Sequence, residues 1–151
     1  MEIHMGFKFR YESLLSYRGH LKEKAEIDLG KAQAQLSRAR QLLEHYQTLL
    51  QEAKNSLDKG MTAVMTSEEV VTYADYLSGL NRRISAQHLE LTRWEKVVAE
   101  KRKVLLAKSK EYRIIEKLKE KDSRKWNHQE LLLERKKMNE VAVIRFGREF
   151  L

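Results

Sequence analysis

The sequence predicts an all-α protein, a two-helix antiparallel coiled-coil hairpin with a longer C-terminal helix. Three observations lead there. The 151 residues include no proline and only six glycines, so the chain has few places to reverse. Charged residues make up 34 % of it and apolar residues 42 %, a balance that suits exposed helices better than a compact core. The apolar residues also recur at alternating steps of four and three, the spacing that keeps one stripe facing a partner helix.

The first stripe reads Leu14, Arg18, Leu21, Ala25, Leu29, Ala32, Leu36, Ala39, Leu43, Tyr46, Leu50, Ala53 and Leu57. Two steps of four meet at Leu21, Ala25 and Leu29, a stutter that unwinds a supercoil locally without breaking the helix. Lys, Glu, Gln, Arg and Ala fill the positions between, and all are good helix formers. The pattern predicts a helix over about residues 10–58. Gly60 just beyond it is expected to be a left-handed C-cap. A turn at about 59–66 follows, with Met61 to Met65 as its connection. Thr66 with Glu69 three residues later can form a capping box that restarts a helix at about residue 67.

The second stripe is Tyr73, Leu77, Leu80, Ile84, Gln87, Leu91, Trp94, Val98, Lys101, Leu105, Lys108, Tyr112 and Ile115. Helical composition continues to about residue 145. A short link makes the two helices antiparallel neighbours in a single domain over residues 1–151. Folding about residue 62 sets Leu43 near Leu80, Leu29 near Trp94, Ala25 near Val98 and Leu14 opposite about residue 110. Beyond that point the second helix has no partner within the chain. Some 30 residues at about 1.5 Å each make a free rod of roughly 45 Å. The first stripe alternates Leu with Ala, and the second is richer in large residues. Small against large fixes register through interdigitated volumes, although Ala is also simply a good helix former.

The net charge of +8 is concentrated. Residues 101–137 hold 14 Lys or Arg and six Asp or Glu, which accounts for the whole excess. A positive rod attracts an acidic surface; a charge run is also what a solvated helix face laced with ion pairs looks like. Nucleic acid is the rival partner, since lysine and arginine neutralise phosphates. Only Tyr112 and Trp126 interleave with the charges and no nucleic-acid motif is present, so none is expected.

Catalysis finds no support. No glycine loop cradles a phosphate. No two of His4, His20, His45, His88 and His128 are three or four residues apart, so no helical metal site is expected, and neither is a cofactor. With no cysteine there is neither disulfide nor thiolate ligand. No run of about 18 apolar residues spans a membrane, so no direct insertion is expected, and no secretory signal opens the chain. Residues Met1 to His4 read as a cloning remnant ahead of Met5.

The ends of the chain carry a family resemblance. The stretch Phe7-Lys8-Phe9-Arg10-Tyr11-Glu12-Ser13-Leu14-Leu15-Ser16-Tyr17-Arg18 resembles the opening of the FliJ family of flagellar type III export proteins. Leu133-Glu134-Arg135-Lys136-Lys137-Met138-Asn139-Glu140-Val141-Ala142 is similar to that family's terminal motif, in which an Asp usually stands where Asn139 is. The turn and Tyr73-Ala74-Asp75-Tyr76-Leu77-Ser78-Gly79-Leu80 also look similar. YscO-like stalk proteins of virulence secretion are the near alternative.

The resemblance implies a cytoplasmic, non-enzymatic stalk resembling the gamma subunit of rotary ATPases. Such a stalk inserts into the hexameric ring of the export ATPase and links it to the membrane export gate, at the inner face of the cell membrane by the flagellar base. The resemblance also implies a role as an export chaperone or chaperone escort, and export chaperones are further implied partners. The ATPase-binding residues are then expected at the open, basic end: Arg10, Arg18, Arg135, Lys136, Lys137, Met138 and Glu140. The closed end is neutral and rich in tyrosine, and is expected to bind the gate through Leu42, Tyr46, Leu49, Tyr73 and Tyr76, with Tyr76 the exposed member. A generic coiled-coil adaptor or a basic nucleic-acid-binding arm is the alternative function.

Overall fold

The computed structural model describes residues 6–62 and 65–149. It is all-α. Helix α1 runs Glu12–Thr62 and helix α2 runs Ser67–Glu149, and the two pack against each other as a helical hairpin. Every residue of both expected stripes is buried or half-buried, including the polar Arg18, Gln87, Lys101 and Lys108. The stripe therefore defined the seam even where its residues are charged. A long side chain keeps its stem on the seam and carries its polar end out to the edge.

Helix starts follow ordinary capping chemistry. The Glu69 amide donates to Thr66 Oγ1 at 3.3 Å, one half of the expected capping box. Glu68 and Glu69 lie in the first turn of α2 and Glu12 in that of α1, where carboxylates complement the helix dipole.

The end of α1 differs from expectation. The helix does not stop at a left-handed Gly60; it continues to Thr62, and no described residue has a positive φ. Gly60 serves a different purpose. A Cβ there would collide with the Met65 Sδ, so the missing side chain lets Met65 fold onto the last turn. Residues 63–64 of the expected connection, and the remnant proposed for Met1–His4, lie outside the described residues.

By internal packing the chain divides into two units, each with its own core. One holds residues 24–106. Ala32, Leu36 and Val98 are buried together there, with Leu29, Leu91, Trp94 and Val97 against them. Leu29 and Trp94 both pack against this cluster, and Val98 lies with Ala32 and Leu36 rather than beside Ala25. A small residue beside the large Trp94 ring is the interdigitation that the Leu–Ala alternation suggested. The indole of Trp94 donates to Glu90 Oε1 at 2.9 Å, and the Arg93 guanidinium lies 5.0 Å from its ring centre. Gln87 Nε2 crosses the seam to the Ala39 carbonyl at 3.1 Å.

The other unit combines the residues up to Glu23 with those from Ala107 on. Phe9, Leu15 and Ile115 form its core, with Phe7, Leu14, Tyr112 and Leu118 packed against them. Arg18 Nη1 donates to the Glu111 carbonyl at 2.9 Å, and Lys119 Nζ approaches Glu12 Oε2 at 2.8 Å. A Cβ on Gly19 would lie 3.4 Å from the Tyr112 ring. Leu14 accordingly meets the Ile115 cluster rather than residue 110. The expected register is off by about one helical turn here, because α1 runs past Gly60 and the chain reverses later than a turn centred at residue 62 would have it.

Candidate partner-binding site

The fully exposed stretch of α2 begins after Trp126. It starts later than expected because the chain ahead of α1 is not idle. Residues 7–11 lie along α2 as an aromatic strap. Phe7 stacks on Phe9 with centroids 6.4 Å apart and tilts against Trp126 at the same distance, and Tyr11 meets Phe9 edge-on at 5.8 Å. Phe9 is buried, so the strap covers α2 beyond the point where α1 begins.

From Asn127 to Glu149 every described residue is exposed. That is 23 residues, or roughly 35 Å of helix, against the roughly 45 Å expected. This bare arm is not a polar helix. Leu131, Leu132, Leu133, Met138, Val141, Val143, Ile144 and Phe146 all expose large apolar side chains, with Met138 at 73 %, Val143 at 70 % and Phe146 at 63 %. At 3.6 residues per turn they do not share a stripe. Leu131 and Met138 lie on one side, Leu132 and Val143 on the next, Leu133 and Ile144 on the next, and Val141 on the fourth. Met138, Val141 and Phe146 line one shallow groove, while Leu132, Val143 and Ile144 line another. Arg135, Lys136, Lys137, Arg145 and Arg148 stand between them. Apolar side chains therefore stand on every side of the arm, interspersed with charged ones, rather than on one stripe that a single neighbour would cover.

The expected ATPase-binding residues do not form one cluster. Arg135, Lys136, Lys137, Met138 and Glu140 lie on the bare arm, fully exposed. Arg10 lies in the strap, with its guanidinium 5.5 Å from the Tyr11 ring centre. Arg18 is half-buried in the seam, where its Nη1 donates to the Glu111 backbone carbonyl at 2.9 Å. Val141, Val143, Ile144 and Phe146 were missed. A helical wheel drawn past residue 138 would have found them, since the apolar residues there fit no single face.

The expected gate-binding residues lie within the 24–106 unit. Tyr76 is 46 % and Leu42 40 % exposed, while Tyr46, Leu49 and Tyr73 are half-buried. The His45 ring sits 6.1 Å from that of Tyr46. Among the described residues no three His, Cys, Asp or Glu side chains converge as metal ligands would, and no helix is long and apolar enough to cross a membrane.

These features define a class: a helical hairpin whose longer arm ends in an exposed helix that carries apolar and basic residues. Within that class the chain belongs to the FliJ family, since the model described as flagellar FliJ protein matches residues 7–150. Its role accordingly lies with flagellar export, within the export apparatus. No curated protein and no solved structure matches it.

Proposed function

We propose that the chain is a non-enzymatic stalk and coupling factor of the flagellar type III export apparatus. The bare arm of α2 enters the hexameric ring of the export ATPase, and another surface of the hairpin engages the membrane export gate. The observation that carries this reading is the arm's apolar surface on every side. A flat partner or a single helix would cover one stripe and leave the rest in water. A ring lumen covers all of them, and at about 25 cal/mol per Å2 each side chain so buried adds to binding.

Arg135, Lys136 and Lys137 supply charge to acidic groups of the lumen, and Met138 with Val143, Ile144 and Phe146 supplies apolar contact. Arg10 and Glu140 flank this set. The gate contact falls to Tyr76 and Leu42, beside Tyr46, Leu49 and Tyr73. It gives the chain a peripheral place at the inner face of the membrane by the flagellar base, where export chaperones would meet it.

The test uses the full chain and its cognate export ATPase. Wild type should raise ATP hydrolysis and promote the hexamer. Arg135, Lys136 and Lys137 all changed to Glu should abolish both while the circular dichroism stays the same. A wild-type chain that leaves hydrolysis and assembly unchanged overturns the stalk reading. Tyr76→Ala should weaken gate binding and leave ring stimulation alone; a fall of several degrees in its melting temperature would make Tyr76 structural.

A further inference from the structure

The paired part of α2 has a second face, opposite the seam. Lys110, Ile114, Lys117, Lys121 and Lys125 follow each other at steps of four, three, four and four, so they share one line on the helix. All five are exposed, Ile114 by 62 %. None of the four lysines makes an ion pair among the described residues. Three of the carboxylates nearby are otherwise engaged, Glu111 with Lys108 at 3.6 Å, Glu116 with Arg113 at 3.1 Å and Glu120 with Arg124 at 3.9 Å, and Asp122 is half-buried to the side of the line. No acid stands on the line itself. Over roughly 22 Å the face is cationic, straight and uncompensated.

We infer that this lysine face is a docking surface for an anionic lipid bilayer, with the helix lying along the headgroups. A straight row of lysines meets a flat anionic surface with all its charges at once, whereas the phosphate path of a duplex winds away from it. The face has no aromatic platform for stacked bases. Both aromatic residues of this stretch point elsewhere, Tyr112 against Gly19 and beneath the Lys22 ammonium, and Trp126 against Phe7. It also lacks the aromatic anchors that dominate protein interfaces. Flexible lysines suit diffuse attraction to headgroups, and Ile114 among them can dip into the boundary of the acyl chains. This inference does not depend on the ATPase reading, because it uses a face of α2 that the bare arm does not include.

The experiment is co-sedimentation of the full chain with vesicles of neutral phosphatidylcholine, or with about one-third phosphatidylglycerol added. Binding is expected to the anionic vesicles alone at about 0.1 M salt, and to be lost at about 0.5 M salt, where screening has shortened the reach of each charge. Changing Lys110, Lys117, Lys121 and Lys125 together to Gln should weaken it on the order of a thousandfold. Helix content and ATPase stimulation should stay unchanged. The Arg135, Lys136 and Lys137 charge reversal, which removes ring binding, should keep most of its vesicle binding. Equal binding to neutral vesicles, no binding, or an undiminished quadruple variant overturns the inference. So does tighter binding to a DNA duplex or single strand than to anionic vesicles at the same salt.

Discussion

Residues 107–126 and 127–149 of α2 belong to one unbroken helix, yet they live in different surroundings. The first stretch is covered along its seam by α1 and then by the aromatic strap, and its apolar Ile115 is buried. The second carries at least as many large apolar residues and buries none. Hydrophobicity alone therefore does not separate them; arrangement does. In the paired stretch the buried and half-buried residues fall on one side, which a single neighbour can cover. On the bare arm the large apolar residues turn through the full circle, which no single neighbouring helix could cover. Helices in proteins draw most of their stability from tertiary packing rather than from propensity. The arm remains helical as an extension of a helix already nucleated and packed.

That contrast is sharpest where burial is deepest. Leu80 is 2 % exposed, the most enclosed large side chain described. Leu80→Ala should cost about 3 kcal/mol, through lost transfer energy and the cavity left in the seam. Chemical denaturation would measure it. A cost below about 1 kcal/mol would mean the seam relaxes freely, and the distinction between paired and bare stretches would lose its energetic meaning.

The strap marks the boundary between the two. Phe9→Ala removes the ring that holds Phe7 and Tyr11 in place and that packs with Ile115. A cost of about 2 kcal/mol is expected, below the usual range for a core Phe because the strap is short and lies at an end. A second reading is spectroscopic. Trp126 should lose Phe7 and become more exposed, so its emission should shift to the red, with a Trp94→Phe background isolating the signal. An unmoved spectrum would show that the strap is not what covers Trp126.

The seam was legible in the sequence because a repeat of four and three leaves little freedom about which side of a helix is covered. Even Arg18 and Gln87 were placed on it by position alone, and both reach across it to a backbone carbonyl. The register was less legible. It depends on where the chain reverses, and Gly60 read as a stop when it is a point of close approach for Met65. The strap left no periodic trace, since Phe7, Phe9 and Tyr11 precede any helix, and Phe7 meets Trp126 and Phe9 meets Ile115 more than 100 residues away. The bare arm was half legible. Its charge and its extension beyond α1 could be read from the sequence, but the spread of its apolar residues over every side appears only when the wheel is followed to Phe146.

A smaller effect, of opposite sign, tests whether the paired helices tolerate what the glycine rule suggests. Gly79 lies inside α2 with ordinary helical backbone, and a Cβ there would meet nothing within 4 Å. Gly79→Ala should therefore stabilise by about 0.8 kcal/mol, through reduced freedom of the unfolded chain and better helix propensity. A loss of stability would indicate a close neighbour at that face.

The smallest expected effect lies on the bare arm and bears most directly on the comparison. Ile144 is 56 % exposed and meets no partner helix. Truncating it removes apolar surface that folding never took out of water, so Ile144→Ala should change stability by less than about 0.5 kcal/mol. Alanine is also the better helix former, which offsets part of any loss. The same chemistry that costs several kcal/mol at Leu80 should thus be nearly silent here. If Ile144 serves the partner, the silence in folding should be matched by a measurable loss in ring binding, read as a higher concentration for half-maximal ATPase stimulation. A destabilisation comparable to that of Leu80→Ala would instead mean that the arm is already covered in solution, for instance by a second copy of the chain. Analytical ultracentrifugation of the wild type would then reveal the dimer.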